Sequence, residues 1–596
     1  MASLSQLIAR PAIFSPSSPR TSSGVRPRRA TVQRVLCASS RGERPEPDHA
    51  TKHDRRDVLL GLSALGASAS ATLIPARRAG ADPVATPDIS TCGPADLPPS
   101  ANVLTCCPPP SNALPVAFDT PDAASSPLRT RPAAHSVTAD YVAKFNAGIA
   151  AMKALPAGDP RSFAAQASVH CAYCDGSYSP DGFPGMELQV HNSWLFFPFH
   201  RCYLYFFERI LGSLIGDPTF GIPFWNWDAP DGMRMPAMYT DQSSQLFDPR
   251  RDGRHAPPKL IDLDYNGRES RFTDSQQIDH NLRVMYRQMV SLSPTPSLFF
   301  GSAYRAGDDP NQGPGAVENI PHGPVHIWSG DPNQPASEDM GNFYSAGNDP
   351  LFYAHHANID RMWSVWKGLD ARRHTDITDP DWLDASFLFY DETPKLVRIR
   401  VRDVLDTDRL RYRYQDVPLP WRTARPTLTA AATQRADSLV APAAQAAGGG
   451  ATKAGRFPIT LDEATSVTVR RPVGAKRSKA EKASKEEVLV IDGVEVDRDV
   501  AAKFDVFVNT EDHSAVGSGG RELAGSFVNV PHGHGHAHGN GNGKKGRGIR
   551  TTLRLALNEQ LEDLKAEGDE SVEVTLVPRQ GKGKVKIGGV RIELMH

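Results

Sequence analysis

The apolar residues of this chain change period once. From about residue 135 to 370 they recur every three or four positions. Val142, Phe145, Ile149 and Met152 form one stripe, and Leu195 to Leu214, Ile278 to Met289 and Phe352 to Trp366 supply three more. From Leu396 they alternate instead, with Val397, Ile399 and Val401 on one face and Arg398, Arg400 and Arg402 on the other. A period of 3.6 and a period of two cannot serve the same element. The first part therefore reads as a helical bundle with long loops. The last part reads as an all-β, sandwich-like domain, with strands expected at Val488–Val496, Phe504–Val508, Ser526–Val530, Thr551–Leu557, Val572–Val577 and Val585–Leu594. Thr423 to Gly455 is rich in Ala, Pro, Thr and Gly, almost without large apolar residues, and reads as a linker.

The first eighty residues carry an address. Met1 to Gly42 has seven arginines and nine serines, with no acidic residue and no lysine, which is the composition of an organelle transit peptide. Arg55-Arg56 then precedes a weakly apolar stretch, Val58 to Ile74, and Ala79-Gly80-Ala81 offers a small-x-small cleavage site, so a Tat-type signal follows. Together they point to the chloroplast and then the thylakoid lumen. The expected organisation is a leader at 1–81, a catalytic domain at 82–422, a linker at 423–455 and a β domain at 456–596.

Net charge is −1, from 67 Lys+Arg and 68 Asp+Glu, which argues against nucleic acid or an anionic membrane surface as the main partner. No run of 18 apolar residues exists, so no stable membrane insertion is expected. Beyond the leader, Cys92, Cys106 and Cys107 lie in a Pro-rich arm, Thr91 to Pro121, that has little core of its own and needs staples. Neighbouring Cys106 and Cys107 should each reach a distant partner.

The histidines of the helical part are spaced for a metal. His322 and His326 are four apart, so one helical face would carry both, with Pro321 suited to the helix start. His355-His356 open another helix. Adjacent helical residues point about 100° apart, so only one of that pair should face the same site. His170, His191 and His200 form an earlier set, in which His191 belongs in the loop before the helix of His200. Six imidazoles in two groups of three suit a pair of copper ions, and the lack of carboxylates at ligand spacing argues against a di-iron bundle. His49, His53, His135, His255, His280, His374, His513 and His596 read as structural or solvated.

These residues make the chain resemble the plant polyphenol oxidases of the type-3 copper family, which includes tyrosinases, catechol oxidases and hemocyanins. The resemblance rests on His170-Cys-Ala-Tyr-Cys174, the run His191 to Arg201, Pro223-Phe-Trp-Asn-Trp-Asp228, His322-Gly-Pro-Val-His326 and His355-His356-Ala-Asn-Ile-Asp-Arg361. In the latter part it rests on Asp381-Trp-Leu383 and Lys503-Phe-Asp-Val506. It implies a four-helix bundle housing two copper ions, one held by His170, His191 and His200 and the other by His322, His326 and His356, with His355 a neighbour. It implies a thioether between Cys174 and His191 and disulfides Cys92–Cys107 and Cys106–Cys171. Cys202 departs from the large aromatic usual in the family at that place.

The implied activity is oxidation of o-diphenols to o-quinones, with small phenols and dioxygen as partners. The alternatives are monophenol hydroxylation or a specialised oxidase on the same site, and a hemocyanin-like oxygen carrier. Glu318 would position a water near the second copper, and Phe343 would be a bulky gate above it. Gly323 stands where some members have Asn, which favours diphenols over monophenols. Asp360, one turn after His356, is a candidate for orienting that ligand. Tyr412-Arg-Tyr414 would close the catalytic domain. The resemblance also implies a β domain that shields the site until an activating protease cuts the linker. The tract His532 to His538 reads as a flexible loop that could hold metal.

Overall fold

The computed structural model describes residues 82–98, 100–101, 105–427, 452–453, 456–472, 477–517, 519–533 and 548–595. The expected leader, most of the expected linker and the tract beyond Gly533 lie outside the described residues.

Nine helices order the first half of the described chain: α1 (Ala139–Ala154), α2 (Phe163–Cys174), α3 (Phe196–Leu214), α4 (Asp274–Tyr286), α5 (Pro296–Phe300), α6 (Gly323–Ser329), α7 (Phe343–Ala346), α8 (Pro350–Leu369) and α9 (Pro380–Asp384). α3 is buried on every face over most of its length, Phe196 through Glu208 without exception, and its charged Arg201 and Glu208 are buried in ion pairs. It packs on α1 and α8, and Tyr173 of α2 lies against its Phe199, ring centroids 4.8 Å apart. α1 approaches so closely at Gly148 that a Cβ there would lie 2.6 Å from Leu211 Cδ2. The starts are locally encoded. Thr138 and Ser162 cap α1 and α2 through their hydroxyls, a capping box of Thr273 and Gln276 opens α4, and Asp349 caps α8 ahead of Pro350.

Two helical expectations are adjusted. α4 ends at Tyr286 and passes into a wider turn, Arg287–Ser291. The helix of His326 begins at Gly323, with Pro324 rather than Pro321 in its first turn; extended Ile320 breaks the chain before it. His322 nevertheless holds helical angles, so its ring and that of His326 still share a face.

Small sheets tie the ends of this half together. β1 (Val116–Ala117) pairs parallel with β4 (Leu396–Arg400), which pairs antiparallel with β3 (Ser386–Tyr390). β2 (Arg129–Arg131) pairs with β5 (Tyr412–Tyr414). The arm is stapled by disulfides Cys92–Cys107 and Cys106–Cys171, so the adjacent cysteines reach separate partners.

The second half is all β but for short helical turns. One five-stranded sheet has the order β11 (Leu523–Asn529), β10 (Ala502–Val508), β13 (Ser571–Gln580), β8 (Thr465–Arg470), β6 (Thr452–Lys453). The other runs β12 (Ile549–Ala556), β9 (Glu486–Val496), β14 (Val585–Ile587), β7 (Ile459–Thr460), with β15 (Gly589–Met595) also on β9. The expected strand Val585–Leu594 is thus two strands, split at Gly588.

Each half has its own apolar core. In the helical core, Val528 is the one buried member contributed by the β half, among the described residues. In the β core, Leu292 and Leu298 come from the helical half. The start of the expected linker is held: Arg425 pairs with Glu559 and Asp563, each at 2.9 Å, and Thr427 exchanges backbone hydrogen bonds with Gly519 and Arg521. Among the described residues no helix is long and apolar enough to cross a membrane.

Candidate metal centre

Seven buried imidazoles meet in the middle of the helical half. α2 supplies His170, the loop before α3 supplies His191, and α3 supplies His200. One ligand atom from each of these three lies within 4.8 Å of the others. The turn before α6 supplies His322, α6 supplies His326, and α8 supplies both His355 and His356; these four meet by the same measure. The groups abut, with His200 stacked on His356 at 4.2 Å.

The sequence reasoning that only one of His355 and His356 could face the site is corrected. Their rings are 5.1 Å apart and inclined by 70°. His355 stacks over His322 at 5.4 Å, while His356 reaches His200. A cluster lying between two directions 100° apart is reached from both.

Five rings are aimed in the same way. Nδ1 donates to a carbonyl oxygen: His170 to Phe343 at 2.8 Å, His191 to the Gln189 amide at 3.1 Å, His200 to Phe196 at 2.8 Å, His322 to Glu318 at 3.0 Å, and His326 to Met340 at 2.7 Å. That fixes the tautomer and leaves Nε2 bare. Nε2 of His170, His191, His200 and His322 is buried without a hydrogen-bond partner, and Nε2 of His326 and His356 are 3.3 Å apart. Buried polar atoms are almost always satisfied, so such a cluster of orphans marks a place for a cation. Burial pushes His170 down to about 3 and His326 to about 4, and the others well below their ordinary value. Neutral nitrogen donors of this kind fit copper.

His355 differs. Its Nδ1 accepts from Trp227 Nε1 at 3.2 Å, so a neutral ring carries its proton on Nε2.

The loop of His191 is clamped from both sides. Gln189 accepts from the His191 backbone N–H and donates to the Cys174 carbonyl at 2.7 Å. Asn192, at φ +53°, donates its backbone N–H to Glu318 Oε1 at 2.5 Å. Glu318 also accepts from Gly315 N, and burial pushes its carboxyl well up. Cys174 and Cys202 are buried and outside both disulfides.

Phe343 lies flat on His191 at 4.1 Å, and His532 of the β half also stacks with it, at 5.5 Å. Its backbone N–H donates to the Pro531 carbonyl. His532 is therefore buried against the site, and burial pushes it down to about 3. The flexible reading of the tract fails at its first residue. The cavity above the histidines is lined by His191, Glu318, Asn319, Gly323, Phe343 and Val528 among others. It measures ≈ 20 Å³, little more than one water needs. Its roof is β11 and the residues just after it. Sequence reasoning missed Asn319, which the turn before α6 places on the cavity wall beside Glu318, and Val528 and His532, which only the docking of the two halves brings there.

Asp360 collects four donors: Arg201 Nε at 2.5 Å, Arg131 Nη1 at 3.2 Å, and the hydroxyls of Tyr412 and Tyr414, each at 2.6 Å. Asp228 likewise binds Asn358, Arg361 and Trp421. Both carboxylates fix α8 from behind its histidines.

Residues 160–369 match the family described as the common central domain of tyrosinase, residues 376–427 the polyphenol oxidase middle domain, and residues 457–594 the chloroplastic polyphenol oxidase C-terminal domain. The chain is 52% identical to a chloroplastic polyphenol oxidase of Malus domestica over 97% of its own length and 95% of that protein's. It superposes on the structure of a latent apple tyrosinase with a TM-score of 0.75 at 53% identity, covering 81% of this chain and all of that one. A solved polyphenol oxidase from Vitis vinifera aligns with a TM-score of 0.56 at 53% identity over 57% of this chain and 99% of that one.

Proposed function

The chain belongs to the plant polyphenol oxidase family, and from that premise and its seven converging imidazoles we infer that it is a copper enzyme oxidising o-diphenols to o-quinones while dioxygen is reduced to water. The carrying observation is the set of buried, bare Nε2 atoms facing one centre. His170, His191 and His200 would hold one copper, and His322, His326 and His356 the other. His355 is set aside as a ligand because Trp227 already occupies the lone pair of its Nδ1, leaving the proton on the nitrogen that faces the site. Copper bound here would supply the redox couple that takes two electrons from the diphenol.

The remaining tasks fall to this chain. Phe343, flat against His191, gives an aromatic ring a surface to lie on. Glu318 is the one carboxylate lining the cavity among the described residues. Burial raises its proton affinity, so it can hold a phenolic proton or the water that carries it. Gly323 offers no side chain to help Glu318 in that task, which favours diphenols. Cys174 is a buried free thiol tied to His191 through Gln189, in keeping with a thioether between them; an intact mass lower by two hydrogens tests it.

The roof formed by Val528 to Val530 supports latency: the enzyme acts after the β half is displaced or cut away, and the protease sites belong in 423–455. Relatives named as chloroplastic support a chloroplast destination, and Arg55-Arg56 with the weakly apolar segment after it supports the thylakoid lumen.

The test combines copper quantitation with oxygen uptake on catechol, before and after limited proteolysis. Two coppers per chain and catechol-dependent uptake are expected, both lost in His326→Ala. Reversible oxygen binding without consumption of catechol would overturn the reading in favour of a carrier.

A further inference from the structure

Asn319 sits on the cavity wall beside Glu318, yet its carboxamide is spent on the roof. Nδ2 donates to the Ser526 carbonyl at 2.5 Å, and Oδ1 accepts from the Val528 N–H at 3.0 Å. β11 is an edge strand whose partner is β10, so Asn319 closes the edge that faces the site. Directly after these two contacts the strand sends the Val528 side chain into the space above Gly323. A Cβ built on Gly323 would lie 3.0 Å from Val528 Cγ1 and 3.4 Å from Val530 Cγ2. The strand thus fills the mouth of the pocket with an apolar group that has an acceptor and a donor beside it.

When the β half leaves, both partners leave together. Asn319 then presents a free donor and a free acceptor at the rim, and such a pair is costly to leave unmade unless water or a ligand takes it. The geometry points to Asn319 as the residue that holds the side chain of the substrate, and to o-diphenols with an amide in that side chain as the preferred class. The amide supplies the same carbonyl and N–H chemistry that the strand supplies in the shielded form. This rests on the oxidase reading above. It assigns Asn319 to substrate specificity and keeps it apart from the chemistry at the metals.

The helical half can be tested alone, because its core closes on itself apart from Val528 and the Vitis vinifera relative is solved as a chain of that extent. Copper-loaded chains ending at Trp421, carrying Asn319, Asn319→Ala or Asn319→Asp, are assayed with 4-methylcatechol and with N-acetyldopamine. In Asn319→Ala the KM for N-acetyldopamine should rise about five- to tenfold, the worth of roughly one net hydrogen bond, with kcat within about twofold. Both constants for 4-methylcatechol should stay within about twofold. Asn319→Asp keeps the shape and the acceptor but cannot donate, and should fall between. Tryptophan fluorescence titration with the same two ligands under nitrogen should give the same ratio without turnover. Equal changes for both ligands, or no change for either, overturn the assignment and leave Asn319 as a cap on β11. Failure of the unsubstituted chain to oxidise either catechol overturns the oxidase reading instead, while the titration under nitrogen still decides the role of Asn319.

Discussion

Asp360 of α8 accepts from Arg201 Nε of α3 at 2.5 Å, with both side chains 1% exposed. Arg201 follows His200, and Asp360 lies one turn beyond His356. A single buried ion pair therefore joins the helices that carry the two histidine groups, and its second oxygen is shared by Arg131, Tyr412 and Tyr414.

Asp360→Asn should be strongly destabilising. It leaves Arg201 buried without its counter-charge, a change that costs about 3–5 kcal/mol. Thermal unfolding should begin roughly 5–10 °C lower, and copper should be lost at lower chelator concentration. Unchanged unfolding would show that the pair does not hold α3 to α8.

The same network sets an acid limit. Burial acts to raise Glu208 and Asp360, but the arginine charges and hydrogen bonds together outweigh it, and both carboxyls sit below their ordinary values of 4.5 and 3.8. A depressed carboxyl contributes stability that is present above its unfolded value and lost as pH falls through its folded value. This network's contribution should thus be nearly level from pH 7 to 5 and be lost below about pH 4. That loss comes on top of a decline that starts as pH falls through the ordinary imidazole value of 6.5, because the centre's histidines are buried neutral. Asp360→Asn should make the loss below about pH 4 shallower, which calorimetry at stepped pH reads directly.

Gly323 couples substrate scope to latency. In a chain ending at Trp421, Gly323→Asn should raise turnover of tyramine, because the new amide can help Glu318 hold a water. In the full chain the same substitution crowds Val528 and Val530 and should also raise basal activity on catechol before any activation. A variant that alters neither substrate ratio nor basal activity would contradict both readings of this position.

Latency should follow the β half itself. Arg425, Lys503 and Arg498 bind it to the helical half through Glu559 and Asp563, Asp264, and Glu187 respectively. A cut in 428–451 should therefore raise activity in step with separation of the two halves on gel filtration, and mild detergent should speed both. The chain ending at Trp421 should be active at once. Equal turnover per copper in the full and shortened chains would leave the β half without a shielding role.

Much of this was legible in the sequence because it is local. Helical period, caps such as Thr138 and Asp349, and the spacing of His322 from His326 are consequences of backbone geometry within a few residues. The change of period near Leu396 separates the long helices from the long strands for the same reason, although short strands such as Ser386–Tyr390 precede it. What tertiary structure alone decided are contacts between segments far apart in the chain. No spacing rule links Asn319 to Val528 or Phe343 to His532, since each pair exists only when two separately cored halves dock. Nor could helical angles say that His355 and His356 both reach the centre: that depends on where the other helices place it, and what sets His355 apart is one hydrogen bond from Trp227.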